Sequence, residues 1–141
     1  MSGDIRMQVE AANAAFYRAL ESGVLERMEA VWAHEDWVRC VHPGWEMIVG
    51  WARVRESWET IFEGEQHLRA SPSDVSVRVL GDLAWVSCLE NITVFNESSF
   101  DSAQAAATNL FVRRDDGWLM VLHHASPIPM IIPDAASDVI Q

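Results

Sequence analysis

VSVRVLGDLAWVSCLENITVF, residues 75–95, is the stretch that decides the fold. Val75, Val77 and Val79 alternate with Ser76 and Arg78, a period of two that belongs to a strand rather than a helix. Gly81-Asp82 is a turn pair, and the β-rich run 83–95 behind it makes the stretch one hairpin. Downstream, the polar residues 96–102 read as a loop, 103–114 as another strand, and Asp116-Gly117 as the turn into a last strand at 118–125. The expected sheet is therefore antiparallel and sequential.

Upstream of residue 75 the period is 3.6. Ile5, Val9, Ala12, Phe16 and Leu20 recur at steps of three and four, with Asp4, Arg6, Glu10, Arg18 and Glu21 on the other side, which predicts an amphipathic helix ended by Ser22-Gly23. Leu25, Met28 and Trp32 continue the period through a short second helix that stops near residues 34–36. A strand at 37–41 leads to the turn His42-Pro43-Gly44. Trp51, Val54, Trp58, Ile61 and Phe62 line one face of a third helix closed by Gly64. Helices first and a meander of strands afterwards predict an α+β domain over 1–130, its helices gathered on one face of a curved sheet, with a proline-bearing tail at 131–141.

Ten Lys plus Arg against 21 Asp plus Glu give a net charge of −11 with no basic stretch, which argues against nucleic acid and anionic membrane surfaces as partners. The N-terminus has no signal-like apolar core and no run approaches the roughly 18 apolar residues of a membrane span, so a soluble, cytoplasmic protein is expected. Cys40 and Cys88 stand alone in β-like runs and read as buried free thiols. No cofactor is expected.

The order α-α-β-α and four strands, with HPGWEMIVGWARVRESWETIF (42–62), LAWVSCLENITV (83–94), ATNLFVRRDDGWLMVLHHASP (107–127) and AAFYRALESGVLERMEAVWA (14–33), resembles the NTF2-like superfamily, nearest to its SnoaL-like, ketosteroid isomerase-like branch, over roughly residues 10–130. The resemblance implies a cone: three N-terminal helices on a strongly curved, mostly antiparallel sheet that wraps the first helix and leaves a pocket at its open end. It also implies a homodimer packed sheet against sheet. The superfamily includes ketosteroid isomerases, polyketide cyclases, scytalone dehydratase and limonene epoxide hydrolase, so the fold does not choose the chemistry. Of the isomerase residues, the base position falls on His42, the tyrosine position on Phe16 with Tyr17 beside it, and the aspartic acid position near Ala106; all three are changed, and that activity is not carried over. The Arg flanked by two Asp of limonene epoxide hydrolase is missing too. Scytalone dehydratase, which relies on histidines and aromatic hydroxyls, is nearer, although this chain has a single tyrosine.

Each candidate has a plain reading beside its chemical one. His42 is either a general base, since an imidazole of pKa about 6.5 suits proton transfer near neutrality, or a turn residue. Glu90, in the middle of an apolar strand, either pairs inside with a histidine or ligand or faces solvent. Asn109 breaks an apolar strand and needs a hydrogen-bonding reason to be there. In VLHHASPIP (121–129), counting by twos from Ser126 groups His124 with Leu122, Met120 and Trp118, and the resemblance puts that face inward. His124 then meets the pocket and His123 the convex, dimer-packing face; a bulge would exchange them. The expected catalytic set is His42, Glu90 and His124, with Glu90 and His124 as the pair. Phe16, Tyr17, Trp45, Asn109 and His123 are the expected ligand contacts. Trp45 is a lid or a dimer contact, whereas Trp32, Trp51 and Trp58 read as core. His42, His124 and Glu90 lack the close spacing of a zinc motif, so no metal is expected. The function expected is binding of a small apolar organic ligand, as a cofactor-independent isomerase, cyclase or dehydratase-type lyase using His and Glu; the other class is a non-catalytic ligand-sensing or dimerisation module.

Overall fold

The first helix, α1 (Ser2–Ser22), turns one stripe to the interior: Val9, Asn13, Phe16, Tyr17 and Leu20 are buried at helical spacing. It stops at Gly23, whose φ of 67° is the left-handed geometry that glycine adopts without strain and whose N–H donates to the Leu20 carbonyl. Helix α2 (Leu25–Val31) buries Met28, and α3 (Trp51–Phe62) buries Val54, Ser57 and Trp58 along one face. The fold is a computed structural model that describes residues 2–64, 67–115 and 117–129. Asp116 of the expected turn and the expected tail 131–141 lie outside the described residues.

Among the described residues six strands form one curved, open sheet: β1 (Arg39–Val41), β2 (Ile48–Val49), β3 (His67–Leu80), β4 (Leu83–Phe95), β5 (Phe100–Arg114) and β6 (Gly117–Ile128), in the order β2-β1-β6-β5-β4-β3. Every pairing is antiparallel except β1 with β6, which is parallel. The strands from β3 onward follow the sequential order expected. Strand β2 was not foreseen, because two residues carry no readable period, and β3, β5 and β6 run longer than expected. Pro72 sits inside β3 because β3 is the sheet edge, where a missing N–H costs no ladder bond. The loop after β4 shrinks to 96–99, since Phe95 pairs with Phe100 and the Asn96 N–H donates to the Ser99 carbonyl.

Two register shifts shape the sheet. One lies between Ser73 and Ser76, with Asp74 left-handed at φ 51°; the other lies opposite Leu110 and Phe111 on β6. At the second, Phe111 pairs with Met120 and Leu110 with Leu122, so Val121 is an extra residue on β6. The concave face carries Ala84, Val86, Cys88, Ala105, Ala107, Phe111, Trp118, Met120 and Ala125, which close on the buried stripe of α1 as one core. No helix among the described residues is long and apolar enough to cross a membrane.

Candidate functional site

Alternation along β4 turns Ala84, Val86, Cys88 and Glu90 inward, so a carboxyl group is carried into the apolar interior at the end of a buried row. Register then fixes its neighbours: Val86 faces Asn109, Asn109 faces His123, and His123 lies beside Cys40 of β1. Above them α1 contributes Asn13 and Tyr17, four residues apart and thus on one side of the helix. All five polar side chains are buried, Asn109 completely.

These side chains satisfy one another. The Tyr17 hydroxyl donates to Glu90 Oε2 at 2.7 Å. Asn109 Nδ2 donates to Asn13 Oδ1 at 2.9 Å and to the Tyr17 hydroxyl at 3.2 Å. Asn109 Oδ1 lies 2.7 Å from His123 Nδ1, and since a carbonyl oxygen only accepts, that nitrogen carries the proton. The other ring nitrogen, Nε2, turns its lone pair to Glu90 Oε2 at 3.5 Å. Burial pushes the Glu90 carboxyl from 4.5 up to about 7, partly offset by the Tyr17 hydrogen bond. Burial, helped by the like charges of His42 and His124, pushes His123 from 6.5 down to about 3. Desolvation therefore outweighs mutual attraction, and below about pH 7 the proton resides on Glu90 while His123 is neutral. Burial and the charge of Glu90 hold the Tyr17 hydroxyl far above its ordinary range, so it remains a donor.

The expected pair of Glu90 with His124 is corrected by the bulge. Counting by twos fails across Val121, so Trp118 and Met120 face inward as expected, but beyond the bulge it is His123 and Ala125 that do. His124 and Ser126 are exposed on the outer face, where with Asp74, Ser87 and Thr108 they line a cleft of about 550 Å³. Ala106, expected near an interior carboxyl position, is exposed as well, with its neighbours Ala105 and Ala107 turned inward.

His42 is inside but otherwise engaged. The Ser57 hydroxyl donates to the Val54 carbonyl at 2.6 Å, so it accepts from His42 Nε2 at 2.8 Å. That proton is committed to the helix, and burial lowers the His42 pKa to about 4. Its ring stands 6.4 Å from that of His123 and edge-on to Trp58 and Trp45, at 4.5 and 4.8 Å. Phe16 packs on His123 at 4.7 Å, while Trp45 is 44% exposed and covers only the edge of His42. Trp58 and Trp32 are core, as expected, and Trp51 is half-buried with His34 stacked on it at 4.3 Å. Asn13 and Ser57 were not foreseen; their one signal was a place on a stripe of otherwise apolar residues.

Trp58 links the cluster to the surface. Its indole N–H has no hydrogen-bond partner among the described residues although it is buried. Its ring lies 5.9 Å from Phe62, and Phe62 lines a cleft of about 840 Å³ together with Leu20, Ile61, Leu68, Val94 and Phe95. Among the described residues no group of three or more His, Cys, Asp or Glu is placed to hold a metal ion.

A family model described as a SnoaL-like domain matches residues 9–131. The chain is similar to a solved structure from Streptomyces avermitilis, described as a candidate dehydratase of the NTF2-like family, with 35% identity, a TM-score of 0.85, and coverage of 92% of this chain and 100% of that one. A second solved structure, described as a candidate calcium/calmodulin-dependent protein kinase type II association domain from Thiobacillus denitrificans, is 35% identical with a TM-score of 0.73, over 85% of this chain and 94% of the other. The F-box protein SKIP8 of Arabidopsis thaliana is 31% identical over 86% of this chain and 49% of its own length, so the chain spans about half of the curated relative it matches.

Proposed function

The chain belongs to the SnoaL-like domain family within the NTF2-like superfamily, and we propose that it binds a small, largely apolar organic molecule bearing an oxygen and acts on it as a dehydratase-type lyase through Glu90 and His123. The observation that carries this reading is the contact of two buried groups of opposite habit: Glu90 Oε2 lies 3.5 Å from His123 Nε2, where burial raises the carboxyl to about 7 and keeps the imidazole neutral. Such a pair suits acid–base work near neutrality. Glu90 gives its proton to a leaving hydroxyl as the C–O bond breaks, and His123 Nε2 takes the proton from the neighbouring carbon as the C=C bond forms. The products are alkene and water, and the proton on His123 returns to Glu90 across the same short gap. The likeness to the candidate dehydratase supports this choice over isomerisation or cyclisation. The indole N–H of Trp58, orphaned like that of Trp32, suits a ligand oxygen, and the cleft lined by Phe62 is the surface next to the Trp58 ring, although its lining stops short of Glu90 and His123.

The test uses 4-hydroxy-4-phenyl-2-butanone, whose dehydration gives a strongly absorbing conjugated ketone. The protein is expected to accelerate that reaction, and Glu90→Gln and His123→Asn are each expected to remove about 10²-fold or more of the acceleration. Binding of this ketone at the cluster without turnover would move the protein to the ligand-sensing class, and no binding there would overturn both readings.

The outer sheet face supports a homodimer beside this activity. Leu83, Val112 and Leu119 form one apolar row across the strands, and Trp85, Leu110 and Leu122 the next. Trp85 is 49% exposed, more than a sheet with one wet face requires. Analytical ultracentrifugation at micromolar concentration is expected to show about twice the chain mass of 15.9 kDa, falling to the monomer in Trp85→Glu. A monomeric wild type removes the dimer.

A further inference from the structure

We propose that Asn13 is a positioning residue that, together with the Tyr17 hydroxyl, sets which nitrogen of His123 carries the proton. The inference deepens the reading of Glu90 and His123 as a working pair and rests on it for its purpose, although its test reads the proton directly. Asn109 is the hinge of the argument. A primary amide has nearly the same shape after a half-turn, so only its partners decide which end is oxygen.

On the α1 side Asn109 meets Asn13 Oδ1 at 2.9 Å, an atom that can only accept. The neighbouring Tyr17 hydroxyl gives its one proton to Glu90 and can likewise only accept from Asn109, at 3.2 Å, which leaves the Asn13 N–H group turned to Cys88. Asn109 must therefore present Nδ2 toward Asn13 and Oδ1 toward His123, and His123 must carry its proton on Nδ1 at 2.7 Å. The bare Nε2 is then an acceptor toward Glu90 Oε2, which suits a protonated carboxyl. With Asn109 turned over, Nδ2 would face His123, the proton would move to Nε2, and that nitrogen would donate to an ionised Glu90. The two orientations thus put the proton of the Nε2–Oε2 contact on opposite members of the pair, and the second holds one proton fewer, released from Glu90 to solvent. The Tyr17 hydroxyl, its one proton given to Glu90, can only accept from Asn109 and so favours the same orientation as Asn13.

The experiment is a two-bond ¹H–¹⁵N spectrum of the ¹⁵N-labelled full chain at pH 6, where Glu90 is protonated and His123 neutral, with the His123 signals identified by their loss in His123→Asn. The wild type is expected to show protonated Nδ1 and bare Nε2. In Asn13→Ala one hydrogen bond of about 1 kcal/mol no longer favours one end of the amide, so the ratio of tautomers is expected to move toward Nε2–H by about fivefold. Asn13→Asp keeps the accepting oxygen and is expected to restore the wild-type ratio, an outcome that mere loss of packing would not produce. A wild type protonated on Nε2 overturns the proposal without any variant. An unchanged ratio in a folded Asn13→Ala overturns it too, as does a failure of Asn13→Asp to restore it. The expected tautomers combined with no effect of Glu90→Gln on dehydration would retire the lyase reading and leave the positioning role standing.

Discussion

Asn109→Leu is expected to lower the unfolding free energy by about 3–5 kcal/mol, although leucine occupies nearly the same volume and is no worse a strand residue. The cost comes from what is left behind. Asn109 is 0% exposed and holds three partners, accepting from His123 and donating to Asn13 and Tyr17. Each group stranded in a dry interior costs about 1–3 kcal/mol, and groups of one network do not add fully. Urea unfolding gives the check: the midpoint falls while the slope with denaturant is unchanged, because the surface exposed on unfolding is the same. A loss below about 1 kcal/mol would mean that water or rearranged side chains satisfy the network at little cost.

That network also shows which parts of the molecule were legible beforehand. Asn109 was read correctly as a residue demanding a partner, because asparagine in the middle of a strand has little other reason to be there. Glu90 was left open between the interior and solvent, although strict alternation within LAWVSCLE puts it on one face with Ala84, Val86 and Cys88. Alternation failed at the last strand for a physical reason. Met120, Val121 and Leu122 are all apolar, so an added residue leaves no mark in their pattern, and the bulge at Val121 exchanges the two histidines unseen. Asn13 was hidden differently. It lies among alanines, which fit either face of a helix, and only its spacing to Val9, Phe16 and Leu20 shows that it faces inward. The tautomer of His123 is beyond any sequence pattern, since it depends on contacts among α1, β4, β5 and β6.

The ionisation of the cluster makes a second large effect, one that changes with pH. Glu90 titrates at about 7 when folded against 4.5 when exposed, so between these values the folded chain holds a proton that the unfolded chain has lost. Stability from this group is therefore full below pH 4.5 and is lost as pH rises through 7. His42 and His123 work in the opposite sense. Lowered from 6.5 to about 4 and about 3, they take up protons on unfolding in acid, so their contribution is full above pH 6.5 and is lost as pH falls toward 3. Glu90→Gln keeps an oxygen for the Tyr17 hydroxyl but cannot ionise, which isolates the first effect. At roughly 1.4 kcal/mol per pH unit the variant is expected to be more stable than wild type by about 3 kcal/mol at pH 8. At pH 4.5 it is expected to be nearly equal, because the wild-type carboxyl is then protonated in the folded chain. Melting temperatures measured across that range settle the sign: the gain must grow with pH through neutrality and then level off. A variant less stable than wild type at pH 8 would show that the carboxylate is held by its partners rather than strained by burial, and Glu90 would then rest ionised instead of serving as the proton donor.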